Sequence, residues 1–153
     1  MSDPYIREFA AALLIDVNGN MLLQQRDNVP HIFQPGKVGL FGGHREGEET
    51  FLECVVREIA EEISQHIPSE RFQPLLSLDG ADPEIPGGHV RGEFFVAYNI
   101  ATESLVITEG KLFKVLPDAI WEMRAELTPA TLLAMNAFMS RQVVGRSMKN
   151  CTM

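Results

Sequence analysis

The sequence predicts an α/β protein in which one mixed β-sheet lies between two helices. Three observations lead to this prediction: short apolar runs bounded by turn residues, one long amphipathic segment in the middle of the chain, and a second one near its end. The order of strands, loop, helix, strands and helix favours a mixed sheet over a doubly wound parallel fold. Because a chain of 153 residues suits one hydrophobic core, we expect a single domain over residues 1–153.

The N-terminal part predicts two paired strands, a loop and a short third strand. Phe9 to Asp16 is apolar and predicts a buried strand. Asn18-Gly19-Asn20 is a turn signal, so we expect Met21 to Gln25 to return as the partner strand. The two remaining segments are a loop that contains proline and glycine, Asp27 to Lys37, and a strand that Gly42-Gly43 stops, Val38 to Phe41.

The central segment predicts an amphipathic helix with a well-defined start. Thr50 and Glu53 have the spacing of a capping box, with Thr50 as the N-cap. Pro68 lies beyond the end of the helix. Apolar residues recur at helical spacing and define one buried stripe: Leu52, Val55, Val56, Ile59 and Ile63.

The C-terminal half predicts further strands and a second helix. Asp79 to Gly88 contains prolines and glycines and predicts a loop. Thr128-Pro129 has the pattern of an N-cap followed by proline, so we expect a helix from there to about Gln142, with a frayed tail from Gly145. The expected strands are Leu75 to Leu78, with Pro74 at its start or at a sheet edge, Glu93 to Ile100, Leu105 to Thr108, and Leu112 to Leu116.

Composition and charge argue against several classes of protein. The net charge is −8, and the chain lacks the basic stripe that nonspecific binding of duplex nucleic acid requires. No apolar run approaches the roughly 18–20 residues that span a bilayer, and Met1 to Phe9 lacks the apolar core of a secretory signal. Cys54 and Cys151 lie far apart and predict free thiols. We therefore expect a cytoplasmic protein that binds neither duplex nucleic acid nor membranes.

Three glutamates on the central helix form a candidate metal site. Glu58, Glu61 and Glu62 are spaced i, i+3 and i+4, so their carboxylates share one helix face, beside the buried stripe. Their repulsion, about 0.2–0.5 kcal/mol per pair on an exposed helix, would be offset by a hard divalent cation. Mg²⁺ and Mn²⁺ favour such oxygen ligands and can bridge an acidic protein to an anionic substrate. The alternative is that the glutamates only solvate the helix.

The surrounding sequence favours the metal site. From Gly43 the chain reads GHREGEETFLECVVREIAEEISQ, with Glu49 and then Arg57-Glu58-Ile59-Ala60-Glu61-Glu62 at fixed spacing. This segment closely resembles the Nudix box, the loop–helix signature of the Nudix hydrolases. Ser64 and Gln65 depart from the box, which usually ends in glycine and an aliphatic residue. Ser64 therefore puts the geometry of the helix exit in question.

The resemblance implies a fold and a set of site residues. The family fold is an α/β/α sandwich around a mixed sheet, which agrees with the elements above. The family's metal ligands match Glu58, Glu61 and Glu62, and the backbone carbonyl that matches Gly42 often completes a site for Mg²⁺ or Mn²⁺. Glycine at positions 42 and 43 also permits a close approach of the backbone to a ligand, although a plain turn is the alternative. The family pattern further implies a supporting pair, Glu49 and Arg57.

The general base is less well defined by the sequence. Some family members place a further carboxylate before the last strand, which makes Glu109 the first candidate and Glu93 the second. An alternative base is a glutamate of the box, commonly the one that matches Glu58. Glu61 is a further candidate catalytic residue. Each additional candidate has an ordinary surface role as its alternative.

Substrate contacts are predicted from residue type and position. Arg26 and Gly43 are candidates for binding the substrate phosphates. Cys54 is a poor ligand for Mg²⁺. Loop or core positions are the favoured interpretation for the remaining candidates, namely His31, His44, His89, Phe33 and Phe41.

The predicted reaction is hydrolysis of a nucleoside diphosphate linked to a second group X, which gives a nucleotide and phosphorylated X. The Leu40-Phe41-Gly42-Gly43 lead-in and the Asp79 to Gly88 loop resemble those of Nudix enzymes that act on sugar nucleotides, with nucleoside triphosphates as another class. Two alternatives are a nucleotide-binding module without activity and an isopentenyl-diphosphate-isomerase-like enzyme that uses a cysteine. Family members often form homodimers, which the sequence itself does not establish here.

Overall fold

A seven-stranded mixed sheet forms the centre of the protein in a computed structural model, which describes residues 6–31 and 34–151, with side chains up to Arg141. The strands are β1 (Ile6–Asp16), β2 (Met21–Gln25), β3 (Val38–Gly39), β4 (Phe41–His44), β5 (Gln73–Ala81), β6 (His89–Ile100) and β7 (Lys111–Val115). Their order is β3-β2-β1-β6-β5, with β4 also paired to β1 and β7 to β2. The sheet is mixed because β1 runs parallel to β6 and antiparallel to β2 and β4.

Two helices cover the two faces of this sheet. They are α1 (Phe51–Ile63) and α2 (Pro129–Cys151), and short 3₁₀ helices occupy Ser69–Arg71 and Pro117–Glu126. Side chains of β1 alternate between the two faces, as the period of a strand requires. Ala12 and Leu14 pack with Ile59 of α1, whereas Leu13 and Ile15 share a core with Met135 and Phe138 of α2. The α/β/α sandwich is therefore confirmed.

The start of α1 follows the sequence prediction. Thr50 is the N-cap: its side chain accepts a hydrogen bond from the Glu53 backbone N–H, and the Glu53 carboxylate accepts one from the Thr50 N–H. At the other end, Ser64 adopts the left-handed conformation, with φ of 57°. The helix therefore ends with the geometry that glycine usually provides, and the Ser64 hydroxyl donates to the Val106 carbonyl at 3.0 Å.

Two details of the strands differ from the sequence predictions, and a third agrees with them. Gly42-Gly43 do not stop a strand but lie inside β4; the break falls at Leu40, whose N–H donates to the Thr131 hydroxyl at 3.1 Å. β5 continues to Ala81, so the loop that follows covers only Asp82–Gly88. Pro74 lies on β5, which is the edge strand that the sequence predicted, and the strand register shifts beside it.

Leu105–Thr108 is not a strand, because its backbone bonds to a helix end instead of a sheet. The Val106 N–H donates to the Ile63 carbonyl at 3.2 Å, and the Thr108 N–H donates to the Glu62 carbonyl at 3.0 Å. A helix leaves its last carbonyls without partners inside the helix. The segment therefore caps the C-terminus of α1.

Helix α2 has the predicted start but a later end. The Thr128 hydroxyl accepts a hydrogen bond from the Thr131 N–H at 3.3 Å, as an N-cap does. The helix runs past Gln142 to Cys151, because a single glycine inside a helix, Gly145, costs only about 1 kcal/mol relative to alanine. No helix among the described residues is both long and apolar enough to cross a bilayer.

Candidate active site

Two adjacent glycines bring β4 into direct contact with α1. Gly42 has a φ of +152°, and a Cβ there would overlap the Ala10 carbonyl oxygen. A Cβ at Gly43 would overlap the carboxylate of Glu58. Any larger residue at position 43 would therefore displace Glu58, so the glycines determine where this carboxylate lies.

Two carboxylates meet beside these glycines, and the charge of a third acts on them. Glu62 accepts a hydrogen bond from the Gly42 N–H at 3.2 Å and faces Glu58, whose side chain is 15% exposed. Burial raises the pKa of Glu62 to about 8, and the negative charges of Glu58 and Glu109 act in the same direction, while the Gly42 N–H opposes them. The structure thus places Glu109, which is distant in sequence, near the box glutamates.

Glu61 lies at the outer side of this group. Its side chain is 61% exposed, and its Oε1 atom is 3.5 Å from Arg57 Nη1, the i,i+4 contact that the helical spacing predicts. Within the described part of the chain, no three acidic, histidine or cysteine side chains converge into a complete metal-ligand set. Arg57 contacts both Glu58 and Glu61 and so balances part of the negative charge on this helix face.

The donor atoms nevertheless fit a hard divalent cation. Glu58, Glu62 and Glu109 provide oxygen ligands only, and one of these carboxylates is partly buried among negative charges. Mg²⁺ and Mn²⁺ prefer such ligands and would remove the repulsion between them. Glu61 can join them by rotation of its exposed side chain about its staggered rotamers.

An ion pair fixes the loop before α1 to the helix. Arg57 donates to both carboxylate oxygens of Glu49, at 2.6 and 3.0 Å, and it also donates to Glu58 and to the His44 carbonyl. Such bidentate pairs are both strong and directional. The hydrogen bonds from Arg57 lower the pKa of Glu49 to about 2. The pair that the family pattern implied is present.

The same glycines also line a large cavity on the α2 side of the sheet. Its volume is about 430 Å³, a size typical of small-molecule sites. A second cavity of about 210 Å³ lies next to Glu109 and Gly110, and Arg26 lines both cavities. Residues that surround the large cavity come from β1, β3, β4, the Asp82–Gly88 loop and the start of α2.

The family model of the NUDIX domain matches residues 5–106. The chain belongs to the Nudix hydrolase family. The comparison with curated proteins gave no match. Among solved structures, a MutT NUDIX hydrolase from Burkholderia pseudomallei is similar, with 24% identity, 87% of this chain and 98% of that chain covered, and a TM-score of 0.67.

Other solved structures share the fold. The MutT protein from Methanosarcina mazei Go1 has 20% identity, covers 93% of this chain and 99% of that chain, and gives a TM-score of 0.72. A bifunctional NMN adenylyltransferase/ADP ribose pyrophosphatase from Francisella tularensis, complexed with AMP and a manganese ion, has 16% identity and a TM-score of 0.64, with 99% of this chain and 43% of that chain covered. The Nudix architecture of this chain is thus shared over nearly its full length.

Cys54, the cysteine whose side chain the structure describes, does not fit nucleophilic or isomerase-type chemistry in this Nudix domain. Cys54 is fully buried in α1, and its thiol lies 3.5 Å from the Gly43 carbonyl, to which it donates. Burial raises the pKa of the Cys54 thiol to about 12, so the thiol stays protonated at neutral pH. The cysteine-dependent alternative is therefore disfavoured by the geometry.

The remaining candidates occupy varied positions. Glu93 accepts a hydrogen bond from the Ser77 hydroxyl at 2.6 Å, His89 pairs with Asp79 at the β5–β6 edge, and His31 is exposed. His44 ends β4 and lines the large cavity, whereas Phe41 lies entirely in the core. Phe33 is outside the described residues, as is the side chain of Cys151.

Several residues of the site were not found from the sequence. Arg7 and Glu84 line the large cavity, and Arg7 pairs behind it with Asp82, 75 positions away in the chain. Gln24 donates to the Glu109 carbonyl at 2.9 Å and supports that loop. The sequence signal for Gln24 was a polar side chain that follows three apolar residues in the Met21–Gln25 strand. The structure shows that this side chain is buried.

Replacing Glu49 with Gln is expected to remove a stabilisation that depends on pH. The folded-state pKa lies below the ordinary value, so the stabilisation is present above about pH 4.5 and is lost as the pH falls toward 2. We expect a loss of about 2 kcal/mol in the free energy of unfolding at pH 7 and a smaller loss at pH 3, measured by urea titration. Glu48→Gln, an exposed neighbour, is the control. An equal loss at both pH values would contradict the assignment.

Replacing Gly43 with Ala is expected to lower kcat/KM by about 10²-fold without unfolding the protein. The added methyl group displaces the Glu58 carboxylate, and a displacement of about 1 Å at a reacting centre has an effect of this order. Gly80→Ala is a matched control, because Gly80 also lies in a strand but has open space around it. Turnover should be measured on the best substrate; equal rates in both variants would refute the geometric argument.

Proposed function

We propose that this Nudix enzyme uses Mg²⁺ or Mn²⁺ to hydrolyse the phosphoanhydride bond of a nucleoside diphosphate linked to a second group. The observation that carries the proposal is the position of Gly42-Gly43, with the cluster of carboxylates on one side and a 430 Å³ cavity on the other. A pyrophosphate that passes these glycines would meet the carboxylates while its nucleoside occupies the cavity.

Named residues can divide the tasks of this reaction. Glu58, Glu61 and Glu62, with the Gly42 carbonyl, would hold the cation, which supplies charge neutralisation and polarises the phosphate and the attacking water. Arg26 lines both cavities and so lies where it can bind a phosphate between them, and Gly43 shares the lining of the larger one. Glu109 is near Glu62 and can accept the proton of the water.

The arrangement of Glu49 and Arg57 supports these roles indirectly. Arg57 donates to Glu58 at 2.8 Å and to Glu61 at 3.5 Å, so it orients two proposed ligands while Glu49 holds Arg57. Ligand carboxylates that are themselves held by hydrogen bonds need less reorganisation when a cation binds. The pair is therefore a positioning device for the metal site.

The proposed substrates are sugar nucleotides or nucleoside triphosphates, handled as small molecules in the cytoplasm. The bifunctional enzyme from Francisella tularensis, which shares the fold, is complexed with AMP and a manganese ion, and this supports a nucleotide substrate and a divalent metal. Leu40 lines the large cavity, and the Asp82–Gly88 loop contributes Glu84 and Ile85 to its wall. The two features that favoured sugar nucleotides therefore both adjoin the proposed nucleoside cavity.

A nucleotide panel tests the proposal. Purified protein is incubated with nucleoside diphosphate sugars, nucleoside triphosphates, dinucleoside polyphosphates and ADP-ribose, in Mg²⁺, in Mn²⁺ and in EDTA. We expect a nucleotide and a phosphorylated second product in the metal-containing samples only, with ¹⁸O from labelled water in one product. No turnover of any nucleotide, with no uptake of either metal by calorimetry, would overturn the proposal; nucleotide binding without turnover would favour a binding module.

A further inference from the structure

The Asp82–Gly88 loop forms a rigid wall of the large cavity. Asp82 accepts two hydrogen bonds from Arg7, at 2.9 and 3.0 Å, and its side chain is only 1% exposed. The loop is closed by backbone hydrogen bonds from Asp82 to Gly88 and from Gly88 to Ile85. Breaking a buried ion pair of this kind costs free energy, because it leaves the other charge buried without its partner. The wall is therefore positioned before any ligand enters.

This wall presents a buried carboxylate to the cavity. Glu84 lines the cavity with a side chain that is 9% exposed. Its Oε1 atom accepts a hydrogen bond from the Ala130 N–H, at the start of α2, and its Oε2 atom lies 3.7 Å from Arg7 Nη2. The N-terminus of a helix stabilises a carboxylate in its ionised form. Glu84 is thus held in place as an acceptor.

The charges at this end of the cavity favour a particular ligand chemistry. Arg7 carries one positive charge, whereas Asp82 and Glu84 carry two negative charges between them. A phosphate or another anion would be repelled here. A neutral ring that offers N–H donors would be attracted, because its donors satisfy carboxylate lone pairs that are removed from water.

We propose that Glu84 determines the base specificity of this cavity and selects a guanine-type base. Guanine presents a ring N–H and an exocyclic amine side by side, which matches the two oxygens of one carboxylate. Hypoxanthine offers the ring N–H alone, and adenine places a ring acceptor beside its amine, so each forms fewer favourable contacts. The inference rests on the proposed function, because it assigns the nucleoside to this cavity.

The other walls fit a planar purine. Phe9 provides an aromatic side chain, and Leu40, Ile85 and Ala130 provide apolar contacts. The guanidinium carbon of Arg7 lies 5.1 Å from the centroid of the Phe9 ring, within the range of a favourable cation–π contact. The same cavity is also lined by Arg26 and the paired glycines, so a base beside Glu84 can leave its phosphates directed toward these glycines and the carboxylates behind them.

Binding without metal tests the inference separately from turnover. Saturation-transfer NMR in EDTA compares GMP, IMP, AMP and UMP with the wild-type protein. We expect GMP to bind about 10- to 100-fold more tightly than AMP, with IMP between them. Equal binding of all four, or preference for UMP, would overturn the inference even if the enzyme hydrolyses nucleotides. If GMP is preferred and no nucleotide is hydrolysed, the proposed function fails while the base specificity stands.

The variant Glu84→Gln gives the decisive comparison. The amide oxygen can still accept from the Ala130 N–H. The amide N–H₂ then takes the place of Oε2, 3.7 Å from Arg7 Nη2, and adds a donor that can bind the ring acceptor of adenine. We expect the GMP-to-AMP preference to fall by about 10- to 100-fold. Glu103→Gln, an exposed carboxylate, is the control and should keep it.

Thermal unfolding separates this role from helix capping. If Glu84 only caps α2, Glu84→Gln lowers the melting temperature and reduces the affinity for all four nucleotides by the same factor. That result would refute the inference. A change in preference at an unchanged melting temperature supports it. A fall in melting temperature together with a change in preference also supports it, because a loss of stability alone does not distinguish one base from another.

Discussion

Replacing Glu62 with Gln is expected to lower kcat/KM by at least about 10³-fold and, at the same time, to stabilise the metal-free protein. The loss of activity follows because the amide carries no charge to hold a cation whose stabilisation of the transition state amounts to several kcal/mol. The gain in stability follows because burial, with the charges of Glu58 and Glu109, disfavours the ionised form of Glu62. Folding at neutral pH must therefore either bury that charge or take up a proton, and neutral Gln avoids both costs. The Gln oxygen can still accept from the Gly42 N–H.

Two measurements check this pair of effects. In EDTA we expect the free energy of unfolding of Glu62→Gln to exceed that of the wild type by about 1–2 kcal/mol. For a chain of this size that difference raises the melting temperature by roughly 2–8 °C. Mn²⁺ should raise the melting temperature of the wild type but leave that of the variant nearly unchanged.

Glu61→Gln provides the matched comparison. It is also expected to abolish turnover, since Glu61 is a proposed ligand, but its side chain is 61% exposed, so the stability in EDTA should change little. Wild-type activity in both variants would refute the assignment of these two ligands. Loss of activity with unfolding of either protein would point to a structural role instead.

Replacing Glu109 with Gln is expected to lower kcat by about 10²-fold with little change in KM. A general base contributes at least this much, and the uncharged amide cannot accept the proton of water. Glu109 is suitably placed because its charge acts on Glu62 and its backbone carbonyl is held by Gln24 at 2.9 Å. The variant should be compared over a range of pH values, since loss of a base alters the shape of the profile as well as its height.

Glu93→Gln distinguishes the two sequence candidates for this role. Glu93 of β6 pairs with Ala10 of β1, and Ala10 pairs on its other side with Gly43 of β4. Two strand spacings, about 10 Å, therefore separate Glu93 from Gly43. Its carboxylate is also engaged by Ser77. We expect nearly full activity for this variant. A larger loss for Glu93→Gln than for Glu109→Gln would reverse the assignment.

Much of the fold was predictable because its signals are local. The capping box at Thr50 and Glu53, the apolar stripe of α1 and the turn at Asn18-Gly19-Asn20 each depend on residues a few positions apart. Leu105–Thr108 misled the prediction because an apolar, β-branched segment favours a strand. What decides its structure is the end of α1, and this partner lies about 40 positions earlier in the chain.

The candidate site divides in the same way. The spacing of Glu58, Glu61 and Glu62 on one helix placed them beside the core, and Glu62 is indeed partly buried. Glu84 carried no signal in the sequence, because its position depends on the pairing of Arg7 with Asp82 and on the N-terminus of α2. Contacts between distant segments of this kind have no periodicity that a single sequence can reveal.

The attachment of residues 105–108 to the end of α1 has a consequence for how this enzyme can vary. The N–H groups of Val106 and Thr108 donate to this helix end, and the Thr108 hydroxyl adds bonds to the Glu61 and Glu62 carbonyls. Leu105 and Ile107 pack against the core, whereas the Val106 side chain is exposed, so only position 106 is free to change its side chain. The length of the connector is fixed as well, since one inserted residue between Thr108 and Glu109 would move the carboxylate by up to about 3.8 Å. Among homologous chains, position 106 should therefore be diverse and the residue count nearly constant.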